Sequence, residues 1–480
     1  MIITIRNFGP VREFNIDLKD DFHLFVGKNN IGKSYAITAV YLIVKSLLEM
    51  SPAVNPFNFR HHFMFDDDLS PDESFKSIEE IIKLSKNIKP KQEVDIKSYI
   101  AKDIISFFEV TFLEQLNSSF QNTFVSLDNL INKYSEQSPT ITLKQNNIEF
   151  NISINDSKFK IKEISINRDF YLRRIRQNRE FNLKNNKYTI YICSDKENEF
   201  RSSYLNFIMS EFIFGFVLEF NSVINSVHYL PASRSGLYQA LSAFGQIVAE
   251  LSKNRSFLSK KVELPGISEP VSDYFIRLSD IRVQKKSFEN KEINLVAKEI
   301  EDKILKGRVE FNSQTKQLMF YPKDTNLKLE LSSTSSMVSE LAPIVSYLRY
   351  VLTTNIRRVR KNSSTLIMIE EPEAHLHPEI QILLTEIFSK LIKQKVKLII
   401  TSHSNYIFNK VNNLIMSKDL PIDKVNSGVF KHTNSGSMLY KLDVNELGVE
   451  DNNFSEATSS LFDEKMDIIS KINEQEFLND

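Results

Sequence analysis

The sequence is poor in the residues that support several kinds of fold and site. It has one cysteine, Cys193, no tryptophan and only 11 glycines in 480 residues. A single cysteine excludes an internal disulfide framework and favours a reducing compartment. Lysine plus arginine equals aspartate plus glutamate at 61 each. That balance argues against a protein that coats nucleic acid through bulk charge.

Long uninterrupted hydrophobic runs are also lacking. The most apolar stretch, 204–220, contains Asn206, Ser210, Glu211 and Glu219. A buried helix explains such a stretch better than a membrane span. The N-terminal sequence MIITIRNFGP lacks the positively charged segment and the longer apolar segment after it that are typical of a signal peptide. We therefore expect a cytoplasmic protein that does not enter a membrane.

Hydrophobic periodicity divides the chain into two kinds of segment. Residues 1–45 have the pattern of strands, a glycine loop and a helix, and strands alternate with helices over 228–480. These two segments are predicted to be the two halves of one α/β head. The expected fold has a mixed sheet with flanking helices. The intervening residues, 46–227, predict an insertion.

The insertion and the second half of the head carry more local patterns. Within the insertion, the hydrophobic patterns predict a helical segment at about 76–135, a β-rich segment at about 139–195 and a helix at about 202–225. Prolines and aspartates predict an exposed loop from about 50 to 75, which includes His61 and His62. In the head, the patterns predict helices near 237–253, 339–358 and 379–395, and buried strands at 365–369 and in VKLIITSHS.

The segment VGKNNIGKS has the most specific pattern in the chain. Gly27 is followed after four residues by Gly32, Lys33 and Ser34, between an apolar strand and a helix. Glycines let backbone N–H groups close around phosphate oxygens at the start of a helix. The lysine would reach the β and γ phosphates of ATP, and the serine hydroxyl would bind Mg²⁺. The predicted ATP-binding residues are Gly27, Lys28, Asn29, Asn30, Ile31, Gly32, Lys33 and Ser34; the alternative is an ordinary strand-to-helix turn.

A second buried strand, LIMIEE, ends in two acids. Successive side chains of a strand point to opposite faces, so Glu370 and Glu371 should have separate roles. We expect Glu370 to contact Mg²⁺ or its water shell and Glu371 to polarise the attacking water. His403, at the tip of the strand in VKLIITSHS, could sense the γ-phosphate. An alternative is a Zn or Mn site in which His375 and His377 join the glutamates.

The order of these motifs resembles a known family. A phosphate loop, the serine-rich turn LSSTSSMVSEL, EEPEAHLHP and TSHS are similar to the ABC ATPase superfamily, in the branch with OLD, RecF and related AAA-like ATPases. The resemblance covers about 1–45 and 228–480, and it implies a P-loop NTPase fold. It implies ATP sandwiched between protomers, with Ser335, Ser336 and Met337 as the signature turn that acts in trans. It also places His375 and His377 in the D-loop at the interface, and HYLPASRSGLY makes Arg234 a candidate active-site or interface residue.

The signature turn departs from the family pattern. Relatives tend to have a serine pair followed by glycine, whereas Met337 stands at the glycine position here. A side chain makes close approach of the backbone to phosphate harder. We expect the contact between this turn and ATP on the other protomer to be weaker than in relatives, to support slower hydrolysis, or to be shifted by one residue. The alternative is a simple helix cap at Ser335 or Ser336.

The resemblance also implies partners. OLD proteins carry a Toprim nuclease domain after the ATPase, whereas roughly 75 residues follow His403 here, without a convincing Glu and DxD set. We therefore expect an ATPase without intrinsic nuclease activity, which forms a homo-oligomer, a dimer or higher assembly. The leading interpretation is the ATPase subunit of an anti-phage system of Septu or PARIS type, which holds a separate HNH or Toprim nuclease.

Two other functions stay open at this point. The first is a RecF-like repair or recombination ATPase that binds DNA directly. Its basic residues would come from one of two clusters, Arg168, Arg173, Arg174, Arg176 and Arg179 or Arg357, Arg358, Arg360 and Lys361. The second is a slow-turnover scaffold that binds ATP, which Met337 would allow.

Overall fold

Strands and helices alternate along most of the described chain. The computed structural model describes residues 1–53, 75–89, 92–175, 182–184, 187–193, 197–238, 267–281, 291–312, 315, 317–352, 363–449 and 459–470. The predicted loop around His61 and His62, the residues Arg176 and Arg179, most of the predicted 237–253 helix and the cluster from Arg357 to Lys361 lie outside these residues.

Most of the strands belong to one mixed sheet. The strands are β1 Ile2–Phe8, β2 Val11–Asp17, β3 Phe22–Gly27, β4 Glu93–Asp95, β5 Thr140–Gln145, β6 Ile148–Asn155, β7 Lys158–Ile166, β8 Asp169–Ile175, β9 Asn182–Lys184, β10 Lys187–Cys193, β11 Ile224–Leu230, β12 Gly307–Asn312, β13 Gln317–Pro322, β14 Leu329–Glu330, β15 Ser364–Glu370, β16 Val396–Ser402, β17 Val425–Thr433, β18 Gly436–Leu442, β19 Val444–Asn445 and β20 Gly448–Val449. Within the described residues, an 11-stranded sheet has the order β11-β15-β16-β3-β17-β18-β2-β1-β5-β6-β7. Its first five strands are parallel.

Helices cover both faces of this sheet. The α-helices are α1 Lys33–Ala53, α2 Ser77–Lys86, α3 Lys97–Phe108, α4 Glu114–Phe124, α5 Glu197–Ile208, α6 Gly215–Val223, α7 Glu269–Ser279, α8 Lys291–Glu299, α9 Ser336–Ser346, α10 Pro378–Ile392 and α11 Asn405–Met416. Several continue through π-helical turns, which are Glu109–Leu113, Met209–Phe214, Ile300–Leu305 and Tyr347–Val351. Short 3₁₀ turns are Leu127–Leu130, Leu331–Ser333 and Ile422–Lys424.

The parallel centre is buried on both sides. Every residue of β3 and β16 is buried, which explains why these strands read as continuous apolar runs rather than as alternating ones. On β15, Leu366 and Met368 pack into one core with α1, α3, α4 and α6. Ile367 and Ile369 pack into the other core with α7 to α11. The prediction of a P-loop α/β head with a mixed sheet and flanking helices is therefore confirmed.

The parallel arrangement also aligns three strand ends. Glu370 at the end of β15 pairs with Thr401 of β16, and Ser402 of β16 pairs with Val26 of β3. Gly27 pairs with Phe430 of β17 on the other side. Since parallel strands end at the same edge of a sheet, the residues after β3, β15 and β16 lie together at this edge.

The predicted insertion shares the head sheet. Strands β5 to β7 continue the sheet beyond β1, because β5 pairs antiparallel with β1 from Ile2↔Lys144 to Arg6↔Thr140. The other strands between 46 and 193, β4 and β8 to β10, form a separate four-stranded sheet with the order β4-β8-β10-β9. The residue boundaries 46 and 227 stay a prediction, but 46–227 does not form a body detached from the head sheet.

The apolar helical stretch of the insertion is partly buried. Glu197–Val223 is long and apolar enough to cross a membrane by length and composition alone, and half of its most apolar part is buried inside the protein. Gln145 of β5 donates to the backbone oxygen of Phe216 at 3.0 Å. Phe216 also packs against Phe108 and Phe150. These contacts are those of a helix in a protein core.

A buried acid lies where α2, α3 and α5 meet. The Asp103 carboxylate accepts a hydrogen bond from the Tyr204 hydroxyl at 2.9 Å and one from the Ser77 backbone N–H at 3.1 Å. Burial raises the pKa of Asp103 to about 6, although these two hydrogen bonds act in the opposite direction. The folded protein therefore holds a proton that the unfolded chain releases near its ordinary pKa of 3.8.

We expect this carboxyl to make stability depend on pH. A raised pKa stabilises the fold at low pH, and the stabilisation is lost as the pH rises through about 6. From pH 5 to pH 7 the contribution of Asp103 to the free energy of unfolding should fall by about 1 kcal/mol. Urea unfolding of the wild type and Asp103→Asn at both pH values measures the difference. Identical pH dependence in the two proteins would contradict the raised pKa.

Candidate functional site

The loop between β3 and α1 has the backbone geometry of a phosphate cradle. Gly27, Asn30 and Gly32 have φ values of 150°, 58° and 91°. A Cβ atom on Gly27 would lie 2.9 Å from the backbone oxygen of Phe430, and one on Gly32 would lie 2.9 Å from Cγ2 of Val11. Both glycines are therefore required by space as well as by φ.

Lys33 lies inside this loop and is buried. Its Nζ donates to the backbone oxygens of Gly27 at 3.0 Å and Lys28 at 2.8 Å. Burial lowers the pKa of Lys33 to about 8, while Glu371, Glu373 and Glu370 oppose that shift in this order. The ammonium thus stays protonated at neutral pH, at the point where a phosphate oxygen would need a positive charge.

A cavity of about 590 Å³ opens beside the loop. Its walls are residues 29–35, Pro10, Glu371 and His403. The structure therefore brings the predicted loop residues from Asn29 to Ser34 together with two predicted catalytic residues. Pro10 and Tyr35 are additions, which no motif in the sequence indicates.

The two acids at the end of β15 have different surroundings. Glu370 is 8% exposed, and its Oε2 accepts from the Ala232 N–H at 3.4 Å. Burial raises the pKa of Glu370, while the neighbouring Ser34 and Tyr229 hydroxyls and the Ala232 N–H oppose the shift. A carboxylate next to the Ser34 hydroxyl supplies the hard oxygen ligands that Mg²⁺ takes.

Glu371 faces the cavity because the strand ends before it. Its φ is 42°, and its N–H donates to the Thr401 oxygen at 3.0 Å. The carboxylate Oε1 lies 3.4 Å from His403 Nε2. The hydrogen bond with His403 is the main reason that the pKa of Glu371 is lowered. The arrangement provides an ionised acceptor on the cavity wall, as a general base for water requires.

Glu373 positions His403 and has no role in the sequence prediction. Its Oε1 accepts from the His403 backbone N–H at 2.6 Å and from the Ser402 hydroxyl at 2.9 Å. Ser404 then caps α11 by accepting from the N–H groups of Tyr406 and Ile407. The only sequence signal for this role was that Glu373 is the third acid of EEPE. The motif does not show its partners, because they lie about thirty positions further along the chain.

Arg234 was expected to be an active-site or interface residue, and its side chain is fully buried. It donates to the backbone oxygens of Glu370 at 2.8 Å and Glu371 at 3.2 Å. It also forms an ion pair with Glu340 at 3.4 Å. Arg234 therefore holds the end of the catalytic strand within its own chain, and its predicted role in the active site or at an interface stays a prediction.

The serine-rich turn begins a helix. Ser335 is the N-cap of α9, and its side chain accepts from the Val338 N–H at 3.5 Å. Ser335 and Ser336 are exposed, whereas Met337 is half-buried and packs against the core between the sheet and α7 to α11. The helix-cap interpretation matches this geometry. None of the three residues lines the cavity described above, and their action in trans stays a prediction.

The two histidines of EEPEAHLHP lie after the catalytic acids. His375 has a φ of 59°, and His377 precedes Pro378 as the N-cap of α10. Both side chains are exposed. Among the described residues, no group of three His, Cys, Asp or Glu side chains is placed to hold a metal ion. Their predicted D-loop role at an interface stays a prediction.

The residues present fit a nucleotide with Mg²⁺. The loop has a geometry that only glycine permits at two positions, and a buried lysine lies inside it. The Ser34 hydroxyl and the Glu370 carboxylate lie close enough for the hydroxyl to affect the pKa of the acid. Together they supply backbone donors and a cation for phosphate and an oxygen pair for the metal.

Comparisons with known proteins agree with this fit at the level of family. A family model described as AAA ATPase domain matches residues 1–408. The SMC head bound to the C-winged helix domain of ScpA is 10% identical, over 93% of this chain and 98% of that chain, with a TM-score of 0.35. The SMC head domain from Thermotoga maritima is 10% identical, over 92% and 98%, with a TM-score of 0.32. The search of curated proteins gives no match.

The steric restriction at Gly27 gives a direct test of the loop geometry. In Gly27→Ala, the new methyl group would meet a backbone oxygen that cannot move aside. We expect a loss of about 1–3 kcal/mol in the free energy of unfolding, measured in urea. The control is Gly236→Ala, because a Cβ at that exposed helical position meets no atom within 4 Å. Equal stability of the two variants would refute the proposed restriction.

Proposed function

The chain belongs to the AAA ATPase domain family, and from that premise we propose that it binds ATP with Mg²⁺ in the cavity beside the phosphate loop and hydrolyses it. The observation that carries this proposal is the composition of the cavity wall. The phosphate loop with Lys33 lines the cavity together with Glu371 and His403. Phosphate binding and water activation thus meet in one space.

Each residue has a role that follows from its surroundings. The backbone N–H groups of the loop and the Lys33 ammonium bind the phosphates, with Lys33 exchanging its bonds to Gly27 and Lys28 for phosphate oxygens. Ser34 and Glu370 would hold Mg²⁺, which would supply positive charge beside the phosphates. The ionised Glu371 accepts a proton from water. His403, which is held by Glu373, would contact the γ-phosphate.

A second copy of the chain would complete the site. The N-terminus of α9 has exposed serines and lies outside the walls of its own cavity. Helix N-termini bind phosphate through free N–H groups and the helix dipole. We therefore propose a homodimer or higher assembly in which Ser335 and Ser336 of one head contact ATP on another. The half-buried Met337 side chain packs against the core beneath α9.

The finer function that we propose is the ATPase subunit of a cytoplasmic anti-phage defence complex. Its ATP state would gate a separate HNH or Toprim nuclease. This step rests on the resemblance of the motifs to such ATPases. The strands β17 and β18, which follow His403, belong to the head sheet.

The described arginines of the insertion give little support to direct DNA binding. Arg168 donates to the Tyr188 hydroxyl at 3.1 Å, Arg173 lies 3.9 Å from Glu93, and Arg174 donates to the Lys86 oxygen at 3.4 Å. Side chains with partners in their own chain have less charge available for phosphate contacts. The RecF-like function therefore ranks second.

Replacing the proposed base tests the ATPase mechanism. Glu371→Gln keeps the size and the hydrogen bond with His403 but cannot take a proton. We expect kcat for ATP to fall by about 10²–10⁴-fold while ATP still binds. Phosphate release and binding of a fluorescent ATP analogue measure the two quantities. Glu163→Gln, on the exposed side of β7, is the control; equal slow turnover in all three proteins would exclude the enzyme function.

The defence role predicts a stoichiometric protein partner. We expect the tagged chain, coexpressed with the product of the neighbouring open reading frame, to retain that product through size-exclusion chromatography. Glu371→Gln with ATP traps one nucleotide state, so it should change the amount of partner retained or its nuclease rate. A lone oligomer that binds DNA in a salt-dependent manner would favour the RecF-like function instead.

A further inference from the structure

A fully buried ion pair joins two parts of the head that would face different ATP molecules. Arg234 Nη2 lies 3.4 Å from Glu340 Oε2, and both side chains are 0% exposed. Arg234 follows β11, while Glu340 lies in the first turns of α9. The charges neutralise each other in a region from which water is excluded.

The arginine holds the catalytic strand end. Its Nη1 donates to the backbone oxygens of Glu370 at 2.8 Å and Pro231 at 3.0 Å, and its Nη2 donates to the Glu371 oxygen at 3.2 Å. The two acids thus have their main-chain oxygens fixed by one guanidinium. A shift of the guanidinium would move the peptide that sets the φ of 42° at Glu371.

The glutamate holds the start of α9. Glu340 lies four residues after Ser336, about 6 Å along a helix that rises 1.5 Å per residue. Its Oε1 accepts from the Ser235 hydroxyl at 2.5 Å and from the Ser235 N–H at 3.4 Å. Helix α9 is therefore attached to the Arg234–Ser235 turn through both carboxylate oxygens.

Separating this pair would leave two uncompensated charges in the protein interior. Breaking a buried pair by removing one partner is strongly destabilising, because the remaining charge has no partner and no water. When the exposed end of α9 moves, the Arg234–Ser235 turn must therefore move with it. The same turn contacts the oxygens of Glu370 and Glu371, so the movement reaches the catalytic strand.

We propose that the Arg234–Glu340 pair couples the two ATP sites of a dimer. Contact of Ser335 and Ser336 with ATP on the partner head pulls α9, and the ion pair transmits this displacement to Glu370 and Glu371 of its own head. Each site becomes competent for hydrolysis when the other is occupied. This coupling rests on the proposed sandwiched ATPase, and it makes hydrolysis cooperative in ATP.

The test compares ATP dependence in full-length variants. Glu340→Gln keeps the shape and the acceptor for Ser235 but removes the charge. We expect the Hill coefficient of ATP hydrolysis to fall to about 1 from a wild-type value between about 1 and 2, the ceiling for two sites. Binding of ATP to single heads, measured at concentrations where the protein is monomeric, should change less than about threefold, because α9 does not line its own cavity.

A matched variant controls for loss of a buried charge. Glu301 forms an ion pair with Arg349 at 2.6 Å and is 5% exposed. Its carboxylate accepts hydrogen bonds from Arg349 and from the Val309 N–H, and both residues lie away from β15 and the Arg234–Ser235 turn in the sequence. Glu301→Gln should keep the wild-type Hill coefficient. If Glu340→Gln is unstable, the double variant Arg234→Met with Glu340→Met replaces the pair by apolar side chains, which proteins often tolerate. The double variant also removes the bonds from Arg234 to the Glu370 and Glu371 oxygens, so its turnover should be lower than that of the wild type. The Hill coefficient of the remaining turnover should be about 1.

The outcomes separate this inference from the ATPase proposal. A wild-type Hill coefficient of about 1 with normal turnover overturns the coupling and leaves the ATPase intact. The same holds if both Glu340→Gln and the double variant keep wild-type cooperativity. Lack of any turnover in the wild type overturns the ATPase function itself, and the coupling with it.

Discussion

The parallel pairing of β3, β16 and β15 is the constraint on which the site depends. Hydrogen bonds hold β16 between the other two, so the phosphate loop, His403 and the two acids are delivered to one edge of the sheet. Because all three strands are buried on both faces, a one-residue slip would exchange their apolar contacts between the two cores. The register of the core thus fixes the geometry of the chemistry.

Around this edge, single residues link neighbouring elements. Glu373 connects the end of β15 to that of β16, and Arg234 connects β11 to β15 and to α9. The catalytic groups themselves lie on loops or at strand ends, where side chains can face a cavity. The surrounding buried groups keep those loops in place. A site of this kind combines accessible chemistry with rigid support.

Residues near one another in sequence could be predicted, and those that meet through the fold could not. The phosphate loop is a local pattern with fixed spacing, and the buried strands are continuous apolar runs, so both were found in the sequence. Arg234 contacts Glu370 across 136 positions, and no periodicity marks that contact. Alternation of apolar and polar residues indicated the strands β5 to β7. It did not indicate that β5 pairs with β1, because a period of two does not specify which strand is the partner. Met337 was judged by its position in a motif, whereas its packing depends on the core beneath α9.

The continuation of the sheet from β1 into β5 has a consequence for how this protein could arise and change. Strand β1 has β2 on one side and β5 on the other, so removal of the insertion would expose a long row of unpaired backbone groups on β1, at the edge of the head sheet. Open edges of this kind pair with other chains and promote aggregation. The added strands therefore act as a permanent cover of the head, and gene rearrangements that delete or exchange 46–227 would have to supply a new edge at the same time.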